Sequence, residues 1–143
     1  MKYIIYRQKK SYDCGIACIA MILSFYNISF DYDRLMTLEE IDTERGCNLL
    51  YLVKILKEFG VKADGYHIEE DEYGSVLQLT PFIANIKIIS GVFHYIVVFE
   101  CRGDDVIIGD PSKDYMITIS RGRFYKLFTG TFLELKYVCE KAL

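Results

Sequence analysis

An α+β domain, with helices first and an antiparallel sheet second, is what this sequence predicts. Three observations carry the reading. Over Asp13 to Tyr26 and again over Leu49 to Phe59 apolar residues recur at helical spacing. After Gly60 the spacing falls to two. The remainder is a series of short β-branched and aromatic runs separated by turn signals.

The elements are taken in chain order. Met1 to Tyr6 is short and apolar, a strand leading toward the central helix. Asp13 to Tyr26 is that helix, with Ile16, Ile19, Ala20 and Leu23 on one face and Ala17 and Met21 on its flank. Asp13 can cap it by accepting from the free N–H groups of the first turn. Asn27 to Ser29 makes a turn, and Asp31 to Met36 a short helix with Leu35 and Met36 inward. Thr37 to Cys47 is a polar loop ending in Gly46-Cys47. Asn48 caps a second long helix, Leu49 to Phe59, whose apolar face is Leu49, Leu52, Val53 and Leu56 and which Gly60 stops.

Strands are expected at Val61 to Ile68, at Phe82 to Ile89 behind Pro81, at Phe93 to Cys101, at Val106 to Gly109 after a Gly103-Asp104 turn, and at Tyr115 to Ile119. Glu69 to Gly74 reads as an acidic solvated loop. Arg121 to Phe128 is a short amphipathic helix with Phe124, Leu127 and Phe128 inward, and Thr131 to Val138 is the last strand. No repeat, linker or low-complexity tract divides residues 1–143, which read as a single domain, helical to about residue 60 and sheet beyond it.

Composition narrows the function classes. Hydrophobic residues make up 52% of the 143, with 12 Tyr and 9 Phe, which argues a filled core and against disorder. A net charge of −3 gives no support to nucleic-acid binding. The first residues carry Lys2, Arg7, Lys9 and Lys10 without a long apolar run, so no signal peptide is expected. Five cysteines, an odd number, then fit free thiols in a reducing cytosol. No window of 18 apolar residues exists, so the chain is expected to be soluble.

The chemistry centres on Gln8 to Met21, QKKSYDCGIACIAM. Cys14 opens the central helix, where the helix dipole and unpaired N–H groups favour a thiolate. Gly15 beside it lets a substrate backbone come close to the sulfur, and Tyr12 and Asp13 are further candidate substrate contacts. A nucleophile needs a base, and the chain has two histidines. His94 begins the strand FHYIVVF, and Asp110-Pro111 ends the next, VIIGDP. If the two strands form a hairpin, their far ends lie side by side and a carboxylate reaches the imidazole. Cys14 then attacks a carbonyl carbon, His94 serves as acid and base, Asp110 fixes the tautomer, and Gln8 with the Cys14 N–H donates to the oxyanion.

Gln8 and Cys14 in this spacing, then HYIVV, then VIIGDPS, resemble peptidase family C39, the papain-like cysteine peptidase domains of bacteriocin-processing ABC transporters. The late segment RFYKLFTGTFLEL resembles the family's ending. The resemblance implies a papain-like fold and an enzyme that cuts leader peptides after a double glycine, with Cys14 as nucleophile, His94 as base, Asp110 as orienting acid and Gln8 as oxyanion donor. It implies precursors of bacteriocins, lanthipeptides or signalling peptides as substrates, each with an amphipathic helical leader. It also implies attached transmembrane and nucleotide-binding domains in a dimeric full-length transporter. The peptidase domain itself would need no cofactor, and ATP would bind only in the nucleotide-binding domain. The place of work would be the cytoplasmic face of a bacterial membrane. Arg45-Gly46-Cys47 departs from the family's Asp-Gly-Thr/Val, and Ser112-Lys113-Asp114 lacks its glycine after Asp-Pro.

Blander readings stand beside this one. Cys18, Cys47, Cys101 and Cys139 read as core cysteines. A zinc site from Cys14, Cys18 and a histidine lacks a CxxC pair. His67 sits in a strand pattern without a downstream acid and reads as a surface or satisfied histidine. The alternative function is a catalytically idle module that docks leaders for export.

Overall fold

The computed structural model describes residues 3–9, 13–37, 48–88 and 91–137. The central helix, α1 (Cys14–Phe25), is buried at every residue from Gly15 to Leu23. Its apolar surface is therefore wider than the single expected stripe, as befits a helix enclosed by the rest of the molecule. A Schellman closure ends it. Asn27 takes the left-handed conformation, its N–H donates to the Ser24 carbonyl, and the Ile28 N–H donates to Leu23.

Helix α2 (Tyr32–Met36) starts at Asp31, whose side chain accepts from the Arg34 N–H. Helix α3 (Leu49–Glu58) starts at Asn48, whose Oδ1 accepts from the Tyr51 N–H at 2.8 Å. It buries Leu52, Ile55 and Leu56, while the expected Leu49 and Val53 are only partly covered. Gly60 stops it at φ 84°, a conformation that favours glycine.

Six strands form one antiparallel sheet: β1 (Val61–His67), β2 (Phe82–Lys87), β3 (Phe93–Arg102), β4 (Asp105–Gly109), β5 (Ile117–Ser120) and β6 (Phe128–Tyr137). Their order across the sheet is β1-β6-β2-β3-β4-β5, so the last strand closes the gap between the first two. Side chains alternate between two cores. Ile83, Val97, Phe99 and Leu133 face α1, α2 and α3. Phe82, Ile96, Val98 and Phe132 face the opposite way, onto helices α4 (Tyr73–Val76) and α5 (Arg121–Leu127). The helices thus cover both faces of the sheet.

Three expectations need correction. Tyr3 to Gln8 pairs with no strand. Instead Tyr3 stacks on Phe99 with ring centroids 4.6 Å apart, and the Gln8 N–H donates to the Pro111 carbonyl at 2.8 Å. The acidic stretch is no plain loop, because Tyr73, Val76 and Leu77, spaced three and four apart, wind α4 and a following turn onto the second core. Phe128 opens β6, three residues earlier than expected, and α5 ends at Leu127. Most of the polar loop before Asn48 lies outside the described residues, as do Cys47 and Cys139.

Candidate active site

Three elements meet at the site. Helix α1 begins with Cys14, β3 carries His94 at its second residue, and β4 ends at Gly109, one residue before Asp110. The β3–β4 ladder runs out at Val97↔Gly109, so His94 and Asp110 project beyond the last paired residues.

A bulge decides which face they share. From Arg102↔Asp105 to Glu100↔Ile107 the register is that of the Gly103-Asp104 turn, which continued unchanged would set Asp110 opposite Val97. Phe99 is an extra residue on β3, and beyond it Val98 pairs with Ile108. The shift by one turns Asp110 to the face of Ile96, which by strand alternation is also that of His94. Gly109 makes room for the arrangement. A Cβ there would lie 2.7 Å from both Met21 Sδ of α1 and Phe99 Cε2.

His94 Nε2 lies 2.7 Å from Asp110 Oδ1, with the side chains 13% and 16% exposed. Cys14 also acts on the ring, through hydrogen bonding and through its charge. Burial alone would push the imidazole down. The hydrogen bonds to Asp110 and Cys14, with the charge of both, outweigh it and raise His94 from 6.5 to about 9. Burial likewise tends to raise Asp110, but its hydrogen bonds from His94 and Ser112 hold it below the ordinary 3.8. Ser112 supplies two of them to Oδ1, from its N–H at 2.9 Å and its hydroxyl at 2.8 Å. The result is a sulfur at a helix N-terminus, an imidazole held in its charged form, and a carboxylate fixed at three points. That arrangement suits thiolate attack with proton return to a leaving group.

The family model of peptidase family C39 matches residues 2–139. The chain belongs to the peptidase C39 family. Over 136 residues it is 32% identical to the SPbeta prophage-derived sublancin-168-processing and transport ATP-binding protein of Bacillus subtilis, matching 94% of this chain and 19% of that protein. It therefore spans about a fifth of that relative's length. Among solved structures, the peptidase domain of Streptococcus ComA, a bifunctional ABC transporter of a quorum-sensing pathway, superposes with a TM-score of 0.81 at 25% identity, covering 96% of this chain and 100% of that one. A double glycine motif protease from an AMS/PCAT transporter, solved in complex with its leader peptide, superposes with a TM-score of 0.79 at 25% identity, covering 96% and 93%. The six-stranded sheet with its packed helices is thus the papain-like fold of C39 domains.

The other candidate residues in this C39 chain are placed as follows. Gln8 sits beside the Asp110-Pro111 corner through its N–H bond to the Pro111 carbonyl. Asp13 precedes α1, but its side chain makes no capping bond. It turns back to accept from the Lys9 N–H at 3.3 Å and is only 2% exposed, so it is not open to a substrate. Gly15 is buried too. A Cβ there would meet Leu52 at 3.0 Å and Tyr95 at 3.5 Å, so the missing side chain serves the packing of α1 on α3 and β3. Tyr12 lies outside the described residues. Cys18 is in the core, one turn below Cys14, and burial first and Cys14 second push its thiol well up. His67 is exposed on β1 with Nδ1 2.9 Å from Thr131 Oγ1, and β6 and β2 separate that strand from β3.

Ser112 and Gly109 were missed from the sequence. Ser112 had a usable signal, since Asp-Pro-Ser is a local turn in which the carboxylate accepts from the residue two on. Among the described residues no group of three His, Cys, Asp or Glu could hold a metal ion. No described helix is long and apolar enough to cross a membrane.

Proposed function

We propose that this chain is a cysteine endopeptidase that cuts double-glycine leaders from precursors of bacteriocins, lanthipeptides or signalling peptides. The single observation that carries the reading is the 2.7 Å hydrogen bond between His94 Nε2 and Asp110 Oδ1, on a ring that Cys14 also helps to hold in its charged form. The Cys14 thiolate attacks the carbonyl carbon of the second glycine, and a C–S bond forms as the oxygen takes the charge. The Gln8 side-chain N–H and the Cys14 backbone N–H donate to that oxyanion. Collapse breaks the C–N bond, and the imidazolium of His94 gives its proton to the departing amine. Water then attacks the thioester as His94 takes a proton from it, the C–S bond breaks to return the Cys14 thiolate, and the leader leaves as a carboxylate. Asp110 holds the ring and its charge throughout.

An apolar groove of about 580 Å³ runs along the second face of the sheet, lined by Ile86, Ile96, Ile108, Ile117 and Leu127, with Asp110 among its walls. It suits the apolar side of an amphipathic helical leader, with the peptide then leading on to the sulfur. Binding of leaders also fits the relative solved with its leader peptide. The proposed setting is a dimeric ABC transporter whose transmembrane and nucleotide-binding domains export the product, at the cytoplasmic face of a bacterial membrane. ATP would bind in those domains and no cofactor in this one.

The test is cleavage of a double-glycine precursor by the chain and by Cys14→Ala. The chain is expected to release the leader and the variant to release none. Equal cutting by both, or no cutting of any such precursor, overturns the mechanism. Iodoacetamide separates an enzyme from an idle docking module. Cys14 should alkylate ahead of the other four cysteines at neutral pH and slow down in His94→Ala, whereas a uniform slow profile favours the module.

A further inference from the structure

The proposed oxyanion donor, Gln8, sits on a segment that belongs to no helix or strand. Such a segment is a poor base for a group that must be held to a fraction of an ångström. Its backbone is nonetheless fixed at three successive residues. Tyr32, the first residue of α2, donates its hydroxyl to the Arg7 carbonyl at 2.6 Å. The Gln8 N–H donates to the Pro111 carbonyl at 2.8 Å. The Lys9 N–H donates to Asp13 Oδ2 at 3.3 Å.

Tyr32 is the hub of these contacts. Its ring packs against Tyr6 with centroids 4.9 Å apart, and the Lys9 ammonium lies 5.5 Å from the centre of the ring. The phenol is pushed above 10 by burial first, and next by the charge of Asp13, so it stays a hydrogen-bond donor throughout the working pH range. Asp13 in turn is the residue before Cys14. The Arg7 carbonyl is thus held from α2, and the Lys9 N–H from the residue that precedes α1.

We propose that Tyr32 is a positioning residue for the reaction, which clamps the Arg7 carbonyl and so aims the Gln8 amide at the oxyanion. The clamp rests on the peptidase function proposed for this chain. Removing the hydroxyl should leave leader binding and the Cys14–His94–Asp110 unit alone and weaken only what Gln8 does as charge develops. The Lys9–Asp33 ion pair, which is exposed, should add nothing to the clamp.

The experiment uses the full chain and a leader-derived peptide that ends in Gly-Gly joined to aminocoumarin. Tyr32→Phe keeps the ring and its packing. Its kcat should fall about tenfold with KM within about twofold, and alkylation of Cys14 should stay within about twofold of wild type. In a Gln8→Ala background, adding Tyr32→Phe should cost less than about twofold. Asp33→Ala should leave all of these unchanged. Amide exchange should quicken at least about tenfold at Gln8 and Lys9 while α1 stays protected. An unchanged kcat, a full additional loss in the Gln8→Ala background, or unchanged exchange overturns the clamp. If wild type cuts no such peptide, the peptidase reading falls, and the exchange measurement alone still decides whether Tyr32 holds the segment.

Discussion

Replacing Asp110 by Asn separates the charge of this residue from its shape. The amide oxygen can still accept from His94 Nε2, so the ring should keep its place while the negative charge disappears. His94 is raised from 6.5 to about 9, which corresponds to about 3 kcal/mol in favour of the charged ring. The hydrogen bond to Asp110 is the largest of the raising influences, ahead of the bond to Cys14. In wild type the imidazolium should persist to about pH 9, and the alkaline limb of kcat/KM should fall there. In Asp110→Asn that limb should move down by ~1–2 pH units, with a loss of ~10–100-fold at pH 8 and a smaller one at pH 6. Stability should follow the same proton. A group whose folded value is raised stabilises fully below its unfolded value, so this contribution is whole below 6.5 and disappears as pH rises through about 9. Asp110 is lowered, so its own share is present above 3.8 and is lost as pH falls through its folded value. Thermal unfolding across pH 4–9 should therefore show a wild-type decline above 6.5 that is smaller in the variant and complete at lower pH. An alkaline limb unmoved in the variant would refute the claim that the Asp110 charge holds the proton on His94.

Three further outcomes come from the same geometry. Gly109→Ala should cost ~1–3 kcal/mol in urea unfolding and suppress cleavage, because the added Cβ meets Met21 Sδ and Phe99 at 2.7 Å beside both Cys14's helix and Asp110. Ser112→Ala removes the 2.8 Å hydroxyl bond to Asp110 but keeps the backbone one, so kcat/KM should fall only about fivefold, in keeping with about 1 kcal/mol for one hydrogen bond. Ile117→Lys puts a charge in the apolar groove and should raise KM for a leader-bearing peptide roughly tenfold, about 1.4 kcal/mol, with kcat little changed; an unchanged KM would remove the groove as the leader's seat.

Much of the fold was legible because its signals are local. The cap at Asn48, the stop at Gly60 and the change of apolar period each act within a few residues, and the structure has them where the sequence puts them. Non-local placement was not legible. Nothing in RFYKLFTGTFLEL says that β6 inserts between β1 and β2, since the pairing of Ala63 with Leu135 and of Ile83 with Leu133 joins residues far apart in the chain. The stretch Tyr3 to Gln8 has strand composition yet makes no ladder, because stacking of Tyr3 on Phe99 and the clamp around Gln8 hold it instead. Asp13 has the residue type of a helix cap but bonds backward to Lys9, a choice between two nearby N–H groups that composition does not decide.

The site itself turns on a detail one level finer. From the sequence, a hairpin with a two-residue Gly103-Asp104 turn brings His94 and Asp110 to the same end, and that much suffices to suggest the pair. Yet the uninterrupted register of that turn points the two side chains to opposite faces, since it sets Asp110 opposite Val97, whose neighbours on β3 alternate with His94. Only the extra residue at Phe99 reverses the parity of everything beyond it. The bulge is held where Tyr3 stacks on Phe99 and where Gly109 leaves space for its ring. Three residues with no chemistry of their own therefore decide whether an imidazole and a carboxylate sixteen positions apart can share a proton.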